Sequence, residues 1–403
     1  MGDIVFSGIE CYTERVNEMD KGVARIAIVT FANLPLPAVK GGAVETLIDN
    51  LCEINEIEKN LRFDIYSVED AMAKQREEFF LHTDYHYYHL LKNGKLNIKN
   101  IVYKITGISI MSLTMKRVIS QINKEKYDCV IVTGIIRELY CITMACKAPV
   151  VWYLHGDAVE VLGVQECRKI GSRCKAVISV SNFVSKRMEQ TGATTRFFVV
   201  NNCTDIKPIN GDDYITFRTK YRQCFKIGDE TVYAYVGRLT PIKGVLELVR
   251  AFTRIRMENA KLLIVGQASE QEEGYLKQMK DLSNEHVIFA GYVAHHKLNE
   301  LLCAVDVVVI PSICNEAAPL SLVEAQVCGK PVIAADMGGI PEYAEPDMTL
   351  LVEGGNGFEK RLEGALKQFE NHKTTYKIQN NIKFTKQQFY NNFCKAIIAI
   401  KEL

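Results

Sequence analysis

At 403 residues the chain is too long for one typical domain and long enough for two. Hydrophobic residues make up 48% and charged residues 24%, ordinary for a chain that buries a core, and no apolar run approaches the roughly 18–20 residues of a membrane span. A net charge of +1, balanced across both halves, excludes the basic surface of a nucleic-acid binder, and 13 cysteines without a C-x-x-C pair fit a reduced, cytoplasmic compartment.

Residues 1–24 match neither helix nor strand and read as an N-terminal extension, with no visible secretory leader. Arg25 to Phe31 is a short continuous apolar run, the mark of a strand buried on both faces. Lys40-Gly41-Gly42 then precedes helical patterning at Ala43 to Ile54. Two glycines before a helix let backbone approach a ligand closely, or else make a flexible helix start; the dinucleotide spacing G-x-G-x-x-G is absent.

Further strands are expected at Phe63 to Val68, Cys129 to Thr133, Val150 to Leu154, Ala176 to Val180 and Phe197 to Val200, with helical stretches between them. His82, His86 and His89 have the spacing of a metal cluster, but the segment is aromatic-rich and lacks a supporting cysteine, so no metal is expected. Ile105 to Ile122, with Lys116 and Arg117, reads as a surface helix with a buried stripe; the alternative is peripheral contact with anionic lipid. His155 follows the strand Val150 to Leu154, where it either binds a sugar hydroxyl and assists proton movement or is a satisfied structural histidine.

The polar stretch Asn201 to Glu230, with only a weakly patterned run from Tyr214 to Cys224, marks the domain boundary. Alternation restarts with strands at Val232 to Val236, Leu262 to Val265, Val287 to Phe289, Val305 to Ile310, Val332 to Ala335 and Leu350 to Val352, and helices close the chain after Phe358 and Thr385. The fold class is α/β, with two doubly wound parallel sheets whose crevices face each other across one cleft.

Three segments of the second domain can carry chemistry. Gly237 allows a close turn after a strand, and Arg238 and Lys243 beside the next helix start would clamp a diphosphate or stand as solvated cations. Tyr292, after the strand ending at Gly291, either packs or edges a nucleobase. Glu316 and Glu324 lie eight positions apart, the first at a strand's carboxyl end and the second on a helix starting near Pro319. Backbone N–H groups from Ala318 to Ser321 would form an anion site, so the segment suits a nucleotide-sugar.

From Tyr235 to Tyr343 the chain resembles the family-4 retaining glycosyltransferases of GT-B fold. The pieces are Gly237-Arg238 with Lys243-Gly244, Leu263 to Gly266, Ile288 to Gly291, Pro311-Ser312 before Glu316, Pro319 to Ala325, Gly329 to Ala334 and Gly338 to Glu342; Gly41-Gly42, His155 and Asn182 match less tightly in the first domain. The resemblance implies two Rossmann-like domains: an acceptor domain over residues 25–205, a nucleotide-sugar donor domain over 206–383, and a last helix within 384–403 that crosses back. It gives Arg238 and Lys243 to the donor diphosphate, Glu316 and His155 to the transferred sugar and Glu324 to the ribose. Backbone from Ala317, Ala318, Pro319 and Leu320 would hold sugar and phosphate, and Gly42 beside Gly41 would admit the diphosphate. The family commonly carries Phe and Gly where this chain has Ala317 and Ala318, and Asn-Gly-Val-Asp where it has Asn201-Asn202-Cys203-Thr204-Asp205.

The implied reaction moves a sugar from a nucleotide-diphosphate donor to a glycan or lipid-linked acceptor in surface polysaccharide or glycoconjugate synthesis. No cofactor or metal is expected, and no Asp-x-Asp sequence is present. The implied setting is cytoplasmic, peripheral at the inner face of a membrane. The alternatives are a nucleotide-sugar epimerase on the same fold and a non-catalytic glycan- or nucleotide-sugar-binding protein.

Overall fold

The computed structural model describes residues 23–30, 34–89, 111–136, 138–371 and 384–403. The extension expected over residues 1–24 lies outside them but for its last two residues, and Ala24 already opens the first strand.

Strands buried on both faces are continuous apolar runs, and parallel strands make up one sheet in each domain. In the first domain these are β1 (Ala24–Val29), β2 (Leu61–Val68), β3 (Thr83–Tyr88), β4 (Cys129–Thr133), β5 (Val150–Leu154), β6 (Ala176–Ser179) and β7 (Arg196–Val199). All pair in parallel, in the order β3-β2-β1-β4-β5-β6-β7. The second domain repeats the design with β8 (Thr231–Val236), β9 (Ala260–Val265), β10 (Val287–Gly291), β11 (Val307–Ile310), β12 (Val332–Asp336) and β13 (Thr349–Glu353), ordered β10-β9-β8-β11-β12-β13. In each sheet the winding reverses beside the first strand, between β1 and β4 and between β8 and β11. Such a switch point leaves a crevice at the carboxyl ends of its two strands. The two facing doubly wound domains expected from the sequence are therefore present.

Seven helices matter below: α1 (Ala43–Glu58), α2 (Leu113–Ile122), α3 (Asn182–Glu189), α4 (Gly211–Cys224), α5 (Val245–Ile255), α6 (Leu320–Val327) and α7 (Lys386–Lys401). In α1, Leu47, Ile48, Leu51 and Cys52 are buried, the spacing of one helix face. Thr385 caps α7 by accepting the N–H of Gln388 at 3.2 Å. Phe389, Tyr390, Phe393 and Ile397 of α7 sit in the first domain's core, and Tyr390 donates its hydroxyl to Asn55 of α1 at 2.6 Å. Phe384, five residues earlier, belongs to the second domain's core and stacks on Tyr343 at 5.0 Å between ring centroids.

Two segments differ from expectation. The histidine-rich run, absent from the expected strands, lies along the edge strand β3. His86 pairs with Asp64 at 2.9 Å and His89 with Glu69 at 2.7 Å, so carboxylates claim these rings separately. Among the described residues no group of three or more metal-ligating side chains forms. The weakly patterned run Tyr214 to Cys224 lies in the regular helix α4, whose Arg218 and Arg222 both reach Asp306, beside β11. Ion pairs rather than an apolar stripe seat it, so periodicity could not reveal it. Of the surface helix expected over Ile105 to Ile122, α2 supplies Leu113 onward, with Met115, Val118, Ile119 and Ile122 buried.

Candidate active site

A cavity of about 510 Å³ opens between the two sheets, within the usual range for small-molecule sites. Its second-domain wall is built at the switch point. Gly237 and Arg238 leave β8, while Ser312 and Glu316 leave the neighbouring β11, and both loops line the cavity. Glu316 is held on one oxygen, Oε1, which pairs with the Lys243 ammonium and accepts the Ser312 hydroxyl at 2.6 Å. Arg238 is exposed in the cavity wall, and among the described residues no carboxylate pairs with it. The site thus holds one neutralised cation–carboxylate pair and one cation free for an anion.

Lys243 reaches Glu316 because its turn presses on the end of β11. Gly244 has φ +66°, and a Cβ there would lie 1.9 Å from the Pro311 carbonyl oxygen, so only glycine fits. The Ile313 N–H also donates to the Ile242 carbonyl at 3.1 Å. The glutamate's backbone is fixed from the other side, where Gly339 donates its N–H to the Glu316 carbonyl at 2.6 Å.

Ala318, Pro319, Leu320 and Ser321 line the cavity at the start of α6, whose first N–H groups have no intrahelical acceptor. Pro319 is the N-cap, one residue before the helix, close to the start expected from sequence. Glu324, in α6, is buried, lines the same cavity and pairs with His295 at 2.8 Å. Tyr292 lines the mouth and is 66% exposed, so it is available as a stacking surface rather than packed away.

Ala317 is placed differently from its neighbours in this segment. It does not line the cavity but packs against the first domain's cores, as a small residue can where two domains meet.

The first-domain wall comes from α1 and from residues beyond β5 and β7. Gly41 and Gly42 lead into α1 without lining the cavity; Ala43, Val44 and Leu47 just behind them do. His155 lies against the Tyr153 ring, with centroids 4.2 Å apart. Both its ring nitrogens are buried without a hydrogen-bond partner among the described residues, and burial pushes its pKa down to about 3. A neutral imidazole facing the cavity can accept or donate one hydrogen bond but carries no charge. Asn202, just past β7, also lines the cavity and keeps a buried Oδ1 without a partner among the described residues.

Sequence reasoning missed Ser312, Asn202 and His295 as lining residues. Ser312 lies four residues before Glu316 with no pattern that marks it as that residue's partner, and His295 stands in a His-His pair with no periodic signal. A further contact joins the domains beside the cavity. The Glu342 carboxylate accepts the N–H groups of Asn182 at 2.7 Å and Phe183 at 2.5 Å, plus the Asn182 amide at 3.0 Å, at the start of α3. The neighbouring Tyr343 hydroxyl donates to the Val180 carbonyl at 2.5 Å and accepts the Asn202 N–H at 3.0 Å.

Residues 217–383 match the family model for Glycosyl transferases group 1. Spore coat protein SA of Bacillus subtilis is 22% identical over 348 residues, 83% of this chain and 85% of that protein. A GDP-mannose-dependent monoacylated alpha-(1-6)-phosphatidylinositol monomannoside mannosyltransferase of Corynebacterium glutamicum is 30% identical over 205 residues; the match spans 48% of this chain and 52% of that one. Among solved structures, Anabaena Alr3699/HepE in complex with UDP and glucose superposes with a TM-score of 0.70 at 20% identity, covering 93% of this chain and 100% of that one. That likeness is one of fold, shared along 93% of this chain. With the GT-B arrangement of two facing parallel sheets and the group 1 sequence over the cation-lined wall, the chain is a glycosyltransferase.

Proposed function

We propose that this chain is a retaining, family-4 enzyme that moves a sugar from a nucleotide-diphosphate donor to a hydroxyl of a glycan or lipid-linked acceptor. The carrying observation is the free Arg238 beside the Lys243–Glu316 pair, at a sheet switch point and next to the start of α6. Solved and curated relatives support a nucleotide-sugar: one structure holds UDP and glucose, and one relative is named for GDP-mannose. We assign the donor to this cavity, with its diphosphate on Arg238, Lys243 and the N–H groups from Ala318 to Leu320. The pentose falls to Glu324, the base to Tyr292, and the transferred sugar to Glu316 and His155.

In this reading the bond between the anomeric carbon and the diphosphate oxygen breaks, and its electron pair leaves with the diphosphate. Arg238, Lys243 and the helix start stabilise that charge, usually a large part of catalysis. The acceptor hydroxyl attacks from the same face and passes its proton to a donor phosphate oxygen, so configuration is retained without a covalent intermediate. Two donors on Glu316 Oε1 lower its nucleophilicity, which favours this course. His155, kept neutral, orients a sugar hydroxyl. Cations and N–H dipoles supply the charge stabilisation, so the reaction proceeds without a metal.

No helix among the described residues is long and apolar enough to cross a membrane. Leu113 of α2 is 64% exposed beside Lys116 and Arg117, which supports peripheral contact with an inner membrane face during surface-polysaccharide or glycoconjugate assembly. A thermal-shift screen of UDP-, GDP-, ADP- and dTDP-sugars identifies the donor. With that donor, Arg238→Ala and Lys243→Ala are each expected to lower turnover by roughly a hundredfold or more with the fold intact. The anomeric proton coupling of the product, read by NMR, tests retention. Full activity in both variants would remove the diphosphate clamp.

A further inference from the structure

The Glu324 carboxylate is half committed. His295 Nε2 lies 2.8 Å from its Oε1, while its second oxygen has no hydrogen-bond partner among the described residues. The Glu324 side chain is only 8% exposed, yet it lines the cavity together with His295. His295 opens a short turn, His295–Lys297, after β10; the turn is closed by Lys297 donating to the Ala294 carbonyl at 2.9 Å and anchored by buried Leu298 and Leu301. Behind the ring, Nδ1 lies 3.7 Å from Asp205 in the segment that leaves the first domain after β7. That distance is too long for a hydrogen bond, so Asp205 acts on the ring by charge alone.

A glutamate on a helix has a broad, roughly two-fold terminal torsion, and leaving it free costs recognition entropy when a ligand must fix it. A ring donor on one oxygen fixes the carboxylate plane and turns the other oxygen's lone pairs to a set direction. We propose that His295 is a positioning residue for pentose recognition: it clamps Glu324 by Oε1 and leaves the other oxygen as an aligned acceptor for ribose hydroxyls. The site thereby favours ribonucleotide donors over deoxyribonucleotide donors. This deepens, and rests on, the reading of the cavity as a nucleotide-sugar site. The two carboxylates that face His295, Glu324 from α6 and Asp205 from the interdomain segment, raise its pKa, with the Glu324 hydrogen bond foremost, in keeping with a charge-assisted clamp.

The test is calorimetric binding of UDP, GDP, ADP and their 2′-deoxy and 3′-deoxy forms to the full chain and to His295→Ala and His295→Gln, with unfolding curves to verify folding. Glutamine can donate from a terminal amide in place of Nε2. For the nucleotide that binds most tightly, the ratio of deoxy to ribo Kd is expected to fall roughly tenfold in His295→Ala, the size of losing a hydrogen bond to a charged group. It is expected to recover in His295→Gln. In a Glu324→Gln background, His295→Ala should then leave the ratio unchanged. Nucleotide binding with the same ratio in wild type and His295→Ala overturns the clamp alone. Absence of binding by any of these nucleotides to the wild type overturns the nucleotide-sugar reading and the clamp with it.

Discussion

Single side chains in the cleft are set by what surrounds them more than by what they are. Lys243 and Arg238 are both cations in one turn, but only Lys243 is spent on Glu316. His155 shows the same principle through its pKa, which burial without a partner pushes down to about 3. An unfolded chain takes up that proton near the ordinary histidine value of about 6.5, whereas the folded chain refuses it. The group's effect is therefore absent above about pH 6.5 and becomes a growing loss of stability as pH falls toward the folded value. His155→Gln should make urea-derived stability less steep between pH 6.5 and 5, by up to about 1 kcal/mol per pH unit. Equal slopes in the two proteins would show that the ring is protonated in the folded state.

Elements carry a different kind of information. The strands were legible because burial on both faces demands an uninterrupted apolar run, and runs such as Val232 to Val236 supply one. The edge strand β3, with its tyrosines and histidines, is half-exposed and keeps no such run. A closing helix after Thr385 is expected from sequence, and its return to the first domain follows from the resemblance, not from its own pattern. In the structure Phe393 is fully buried among first-domain residues, with its ring centroid 6.2 Å from those of Phe63 and Tyr153. Phe393→Ala is expected to cost roughly 3–5 kcal/mol in chemical denaturation, as large-to-small core substitutions do. A loss below about 1 kcal/mol would mean that α7 is not seated there in solution.

One segment of the second domain, residues 339–343, both holds the Glu316 loop and makes polar contacts to the first domain. Gly339 bonds to the Glu316 backbone, Glu342 receives the first N–H groups of α3, and Tyr343 bonds to Val180 and Asn202. A carboxylate at a helix start is favoured by both the free N–H groups and the helix dipole. A variant that loosens this contact is therefore expected to open the cleft and weaken the hold on the Glu316 loop. Glu342→Ala should raise the donor KM by on the order of threefold to tenfold. The free protein's radius of gyration by X-ray scattering should increase, and Glu342→Gln should fall between. An unchanged radius and KM would separate this contact from closure.

The sequence by itself determined the two parallel sheets, the helix start at Pro319, Glu316 and Arg238 at strand ends, and Lys243 and Glu324 at the helices that follow. These follow from uninterrupted apolar runs, the 3.6-residue helical period, glycine and proline positions and short-range spacing, all local quantities. Only the tertiary structure decided that Lys243 and Ser312 share Glu316, that His295 holds Glu324, and that Ala317 faces the first domain rather than the cavity. It also decided that Glu342 reaches α3 across 160 residues of chain. Such pairings depend on where the switch points and the domain crossing bring distant segments, and no local period encodes a contact between residues so far apart.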